Sequence, residues 1–227
     1  MPAFAVSLTT LVAVPALWYA TRPGVPDANA GSLAGLGDVV DERAELRQLS
    51  ARQASRSRPP EIRVRSARIS GVRVAPRPRP RALAVPALDI RAPVVPVGVD
   101  KDQVEIPEDA RTVGWYRHGS SPGQPGSAVL VGHVDYDGTR GVFYRLRELE
   151  PGAVVRVGFS GRERRFRVVA RRSFPKGRLP ARLVFAKRGR PYLTLVTCGG
   201  DYDRSAREYA SNVVVFAVPA RAAKARS

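Results

Sequence analysis

Between Leu83 and Val218 the apolar residues come in short alternating or continuous runs, each broken by Gly or Pro, with little helical periodicity. The runs are Ala87–Val97, Ser127–Val134, Val154–Phe159, Glu163–Arg171, Tyr192–Thr197 and Asn212–Val218. Runs of this length and spacing read as strands, and several in succession predict an all-β barrel or sandwich. Short helical turns are expected near Asp109–Tyr116 and Val142–Leu149. Hydrophobic residues make up 44% of the chain, enough to build a core, so wholesale disorder is excluded.

The rest of the chain is different in kind. Pro2 to Ala20 carry no charged side chain, and Trp18 and Tyr19 stand near the end of the stretch, just before Arg22. About 20 apolar residues cross a bilayer, and aromatic residues favour its interfaces. Residues 1–21 therefore read as an uncleaved membrane anchor. A cleaved signal segment is the competing reading, and the missing basic n-region argues against it. Residues 22–82 are rich in Pro, Arg, Ser, Ala and Gly and end in APRPRPRA. Repeated Arg-Pro dipeptides favour extended, solvated backbone, so this part reads as a linker, with a brief helix possible between Asp38 and Gln53. The β domain is expected over residues 83–219, followed by a basic tail, 220–227.

The formal net charge is +18. It divides into +7 over residues 22–82, +8 over 83–219 and +3 in the tail, so it is spread along the chain and not gathered into one site. A solvated basic surface is the plain reading, with attraction to an anionic envelope next. No helix-turn-helix pattern or aromatic-rich RNA motif supports nucleic acid as a partner.

Cys198 is the only cysteine, which excludes an internal disulfide and any multi-cysteine zinc site. It closes the apolar run Tyr192–Thr197 and precedes Gly199-Gly200. A lone cysteine is more often a small buried hydrophobe than a nucleophile. A thiol at a strand end beside two glycines is nonetheless open to substrate. His133 has an equivalent setting, closing the run that starts at Ser127, and His is the usual partner that activates a thiol. His118 lies in a Gly/Ser/Pro loop and reads as an ordinary exposed histidine. Asp135 and Asp137 read as an exposed turn in preference to a metal site, and no metal or cofactor is expected. Acyl transfer through a thiol also needs oxyanion stabilisation, and Arg204 and Arg207 lie between Cys198 and the last strand.

Gly132-His133-Val-Asp135, the following Gly141-Val-Phe143-Tyr-Arg-Leu146 and Thr194-Leu-Val-Thr197-Cys198-Gly-Gly200 together resemble the sortases. TLVTCGG with Asp203, Tyr209 and Asn212-Val-Val-Val resembles, more narrowly, the class F sortases of actinobacteria, as does Val113–Tyr116 with Pro122–Ser127. The resemblance covers roughly residues 84–218. It implies a closed eight-stranded sortase-type β-barrel with short helices in its connections. It further implies a monomeric cysteine transpeptidase that cleaves an LPxTG-like C-terminal sorting signal between Thr and Gly. The acyl group then passes to an amine of a peptidoglycan precursor or another acceptor, on the outer face of the membrane. By the resemblance Cys198 is the nucleophile, His133 the acid and base, Arg207 the oxyanion or substrate arginine with Arg204 as fallback, and Thr197 a shaper of the substrate pocket. The chain departs from other sortases where they carry the arginine nearer the last strand: here stand Ala210 and Ser211.

Two other thiol enzymes fit less well. L,D-transpeptidases carry their cysteine in a Ser-His-Gly-Cys-type segment, and papain-like proteases place Cys before His. The non-enzymatic alternative is a membrane-tethered basic β domain that binds cell-wall polymers; it leaves His133 and Cys198 without a purpose.

Overall fold

The computed structural model describes residues 29–34, 36, 77–101, 103–204 and 208–220. The apolar N-terminal stretch, the helix proposed within 38–53, Arg207 and the basic tail lie outside them. Among the described residues no helix is long and apolar enough to cross a membrane.

Eight strands form the body: β1 (Ala82–Val85), β2 (Ile90–Val97), β3 (Val113–Tyr116), β4 (Ser127–Val131), β5 (Val154–Phe159), β6 (Arg162–Pro175), β7 (Tyr192–Asp203) and β8 (Glu208–Pro219). Their order is β6-β5-β1-β2-β3-β4-β7-β8, and β8 pairs back onto β6, so the sheet closes into a barrel. Closure removes the free edges that an open sheet would expose. The pairs β2–β3 and β4–β7 are parallel and the others antiparallel. The barrel expected from the sequence is therefore the one observed.

Alternation sets which side chains face inward. Leu193 and Leu195 of β7, Val213, Val215 and Ala217 of β8, and Ala128 and Leu130 of β4 pack in the interior with Phe143, Phe166 and Leu146. The alternate residues, Tyr192, Val129, Val131, Val214 and Phe216, are buried too, in a second apolar layer outside the barrel. β4 is consequently buried at every position, which explains why SAVLV reads as a continuous apolar run. A single helical turn, Ala181–Val184, and the segment around Val104 and Ile106 help cover that outer layer.

Three local outcomes differ from the sequence reading. Val113–Tyr116 is a strand, not part of a helical turn, because Trp115 and Val113 are needed in the interior. The expected turn at Val142–Leu149 is a 3-10 turn over Leu146–Glu148. Finally, residues within the stretch read as linker dock on the barrel. Ala30 and Gly31 pair with Arg171 and Ala170 of β6, on the edge that β6 leaves open once its pairing with β5 stops at Arg167. Arg172 fixes this strap with guanidinium bonds to the carbonyls of Ala30 (2.7 Å) and Gly31 (2.8 Å). Leu36, 2% exposed, joins the outer layer. Leu36→Ala should therefore cost about 2 kcal/mol or more of stability, the range for truncating a buried leucine. Urea unfolding would measure it, and a midpoint equal to wild type would show the strap contributes nothing.

Candidate active site

The parallel pair β4–β7 places two reactive side chains together. Its last aligned rung joins Val131 to Val196. Two bonds extend the pairing: the Gly132 N–H donates to the Val196 carbonyl (3.2 Å), and the Thr197 hydroxyl donates to the Gly132 carbonyl (2.8 Å). One further residue on each chain gives His133 and Cys198. By alternation both point outward, on the face shared by Val131 and Val196. Adjacent strands lie about 4.8 Å apart, so imidazole and thiol start from neighbouring backbone positions. Both are half-buried, and Cys198 takes part in no disulfide. Across from Cys198 on β8 stands Asn212.

His133 is oriented from several sides. Its Nε2 lies 2.8 Å from the Pro107 carbonyl oxygen, which can only accept a hydrogen bond. Nε2 therefore carries the hydrogen, and the neutral ring keeps Nδ1 as its base. The ring packs on Tyr136 with centroids 4.6 Å apart. Asp109 stands near enough for the two charges to interact. Its carboxyl is held below its ordinary value, first by the Thr112 hydroxyl, then by the Arg111 backbone N–H, and in smaller part by the Arg111 and His133 charges. The backbone of His133 is clamped as well: its carbonyl accepts from Phe143 N–H (2.9 Å), and the Val134 carbonyl accepts from Gly141 N–H (2.9 Å).

Beyond His133 the chain makes a two-residue hairpin, Asp135-Tyr136 against Thr139-Arg140, turned by Asp137 and Gly138, both at positive φ. The two aspartates are exposed, as expected of a turn. Asp135 has a further partner, because the Tyr209 hydroxyl of β8 donates to its Oδ1. Tyr209 also makes an edge contact with Tyr202, at 5.1 Å between centroids. Together they bridge β8 to the His133 loop past Cys198. The bond to Asp135, then burial, then the negative charges of Asp135 and the Cys198 thiolate hold the Tyr209 hydroxyl up, to about 12. Burial likewise pushes Tyr192 to about 12.

A raised phenol favours the folded state below its unfolded value near 10 and loses that contribution as pH climbs through the folded one. Alkaline titration followed by tyrosinate absorbance should therefore leave two tyrosines un-ionised up to pH of about 12, and Tyr209→Phe should leave one. Ionisation of both near pH 10 would show that neither the Tyr209–Asp135 bond nor the burial of Tyr192 holds in solution.

Thr197 is 4% exposed, and its hydroxyl bonds across the β4–β7 pair to the Gly132 carbonyl. Arg204 is exposed. Ala210 is exposed, and Ser211 faces inward with its hydroxyl 3.2 Å from that of Ser173, so neither places a cation near Cys198. A cavity of about 810 Å³ lies elsewhere, over β1, β2 and β5 between Arg81, Arg91 and Arg156, and has no part in this site. Among the described residues no group of three or more His, Cys, Asp or Glu forms a metal site. The sequence had pointed to His133 and Cys198 but not to the neighbours that hold them, Pro107, Asp109 and Tyr136. A proline carbonyl and an exposed aspartate carry no spacing signal.

The sortase domain family matches residues 83–220. Among solved structures, sortase A from Corynebacterium diphtheriae (a lid mutant) is 17% identical with a TM-score of 0.51, over 67% of this chain and 76% of that one. Sortase C-1 from Actinomyces oris is 22% identical with a TM-score of 0.50, over 63% and 73%. Sortase C1 from Streptococcus suis is 18% identical with a TM-score of 0.50, over 65% and 76%. At these identities the likeness is one of fold. No curated protein matches the chain.

Proposed function

Because the chain belongs to the sortase family, we propose that it is a cysteine transpeptidase acting on an LPxTG-like sorting signal, with Cys198 as nucleophile and His133 as acid and base. The observation that carries the proposal is the parallel register of β4 and β7, whose last rung, Val131 against Val196, lies two residues before each of His133 and Cys198. In the first half-reaction the Cys198 thiolate attacks the Thr carbonyl carbon and the Thr–Gly C–N bond breaks. The proton on His133 passes to the departing glycine amine, leaving a thioester. In the second, an acceptor amine attacks the thioester, His133 takes its proton and the thiolate departs.

The apolar residues beside this pair suit the apolar start of such a signal. Val131 and Val196 form the floor, with Val104, Ile106 and Leu183 packed against the same layer. Arg207 is the proposed oxyanion or substrate arginine, with Arg204 as alternative, since Ala210 and Ser211 carry no charge. Thr197 acts on the substrate pocket indirectly, through the strand register. The TLVTCGG segment and its downstream residues support class F as the nearest class. The apolar stretch Pro2–Ala20 supports a single-pass membrane protein, and membership of the family supports an extracellular catalytic domain, proposed as a monomer, with an amine of a peptidoglycan precursor as acceptor.

The full chain incubated with an LPETG peptide should gain the mass of the peptide up to Thr, less water, and release the glycine fragment. Added amine should discharge it. An adduct only with a variant motif changes the specificity and keeps the chemistry. No adduct with any sorting peptide, together with salt-sensitive polymer binding that survives Cys198→Ala, would establish the tethered wall-binding domain instead.

A further inference from the structure

The strap meets the barrel at its catalytic end. Ala30 and Gly31 run antiparallel to β6, against Arg171 and Ala170, so each step towards the N-terminus moves one rung towards Phe174. Asn29 is the first described residue of the strap, and its side-chain oxygen accepts from the Ser173 N–H at 3.0 Å. Phe174, the next residue of β6, pairs with Asn212 of β8, and Asn212 pairs with Cys198 of β7. Three strand spacings and two residues along β6 separate Asn29 from Cys198, a distance of about 16 Å.

The strap is gripped along its length. Besides the Arg172 bonds to Ala30 and Gly31, the Ser32 N–H donates to the Val169 carbonyl (3.1 Å), and Leu33 and Leu36 enter the apolar layer outside the barrel. Gly31 holds a φ of 77°, and a Cβ there would lie 2.1 Å from the Val169 carbonyl oxygen, so only glycine passes. The chain grips the barrel a second time at the other end, in the loop between β3 and β4. There Arg77 donates to the Gly119 carbonyl (3.3 Å) and the Ser121 hydroxyl donates to the Pro78 carbonyl.

The stretch 22–82, read from the sequence as one linker, is therefore divided by its first grip. Only residues 22–28 separate the apolar stretch from the strap, a reach of about 25 Å at full extension. Counted instead to Arg77, residues 22–76 would reach on the order of 190 Å.

We propose that the strap is the attachment by which the N-terminal anchor holds the barrel, so that the catalytic end faces the bilayer with Cys198 within about 40 Å of its surface. The proposal rests on the reading of Pro2–Ala20 as a membrane anchor. Sorting signals are then met close to the membrane. Residues 37–76 lie between the two grips and do not set the height of the site.

Cys198 is the only thiol of the chain, so a fluorophore placed on it reports the height of the site directly. The labelled full chain is reconstituted in phosphatidylcholine vesicles that carry a headgroup-linked acceptor, and energy transfer gives the distance from Cys198 to the surface. A Gly/Ser insertion of about 20 residues between Pro26 and Asp27 should raise that distance by on the order of 20 Å, the coil dimension of such a linker. The same insertion between Ser57 and Arg58 should leave the distance unchanged. In Gly31→Val, where the strap cannot dock, the second insertion should lengthen the distance as the first does.

Equal lengthening by the two insertions in the otherwise unchanged chain would show that the barrel hangs from Arg77, and would overturn the proposal. Lengthening by neither would mean that the barrel's own surface holds it to the bilayer, and would overturn it as well. Flotation with the vesicles separates the two readings. A chain that does not float removes the anchor, and the orientation with it, whereas a chain that floats without the asymmetry removes the role of the strap alone.

Discussion

His133→Ala is expected to lower transpeptidation by about 10²–10⁴-fold, the usual contribution of a positioned acid-base group. The loss falls on both half-reactions. Without His133 the glycine amine must leave without a proton donor, and the incoming amine must attack without a base. Pro107 fixes Nε2 as the protonated nitrogen, so Nδ1 is the one that exchanges the proton, and the effect should be specific to the side chain. Added imidazole should restore part of the rate in His133→Ala and none in Cys198→Ala. The wild-type rate should depend on pH through two groups, and the variant should lose one limb of that profile. Turnover of His133→Ala within tenfold of wild type, or equal rescue of both variants, would remove His133 from the chemistry.

The sequence is informative where a single residue type carries its own signal. A lone cysteine closing a strand and a histidine closing another were visible as strand-end residues, because both follow apolar runs. Their approach to one another was not visible. It depends on a parallel pairing between strands 65 residues apart, set by Ser127 against Tyr192 and Val131 against Val196, and nothing local specifies that register. β3 was misread because Val113-Gly-Trp-Tyr116 is too short to show alternation, and a Gly in the middle lowers strand propensity. Gly114 is there because Val97 and Val131 crowd it: a Cβ would sit 2.9 Å from one and 3.0 Å from the other. The docked strap was hidden for the opposite reason. Ala30-Gly31 has no strand signature at all, and its place is decided by the open edge of β6 and by Arg172.

The charge pattern needed the structure most. Basic residues in APRPRPRA, after Tyr116 and after Ala186 look alike in a sequence with 38 Lys and Arg. Folding places Arg77 and Arg117 around one hollow and Arg91, Arg111, Arg140 and Arg145 around another, while Asp109 and Asp135 stand beside the histidine.

Gly141→Ala should be nearly as damaging as loss of the imidazole, although residue 141 has no functional group. A Cβ at this position would lie 2.2 Å from the His133 carbonyl oxygen and 2.4 Å from its carbonyl carbon. Both are backbone atoms held by Phe143 N–H and by the ladder beyond β4, so neither can turn aside as a flexible side chain would. The strain is relieved only by separating the two segments, which breaks the Gly141–Val134 bond and shifts His133. Displacement by about 1 Å is enough to cost on the order of 10²-fold in a reaction that depends on aligned groups. The expected signature is a fall in kcat for peptide transfer with the Cys198 thiol still present and titratable, and a lowered urea midpoint. Gly138→Ala, in the exposed turn of the same loop with no atom within 4 Å of a new Cβ, separates placement from loop chemistry. Its only cost is a left-handed φ of 72°, so it should lose stability modestly and keep its turnover. If Gly141→Ala turns over like Gly138→Ala, the clamp on His133 is not what aligns the site.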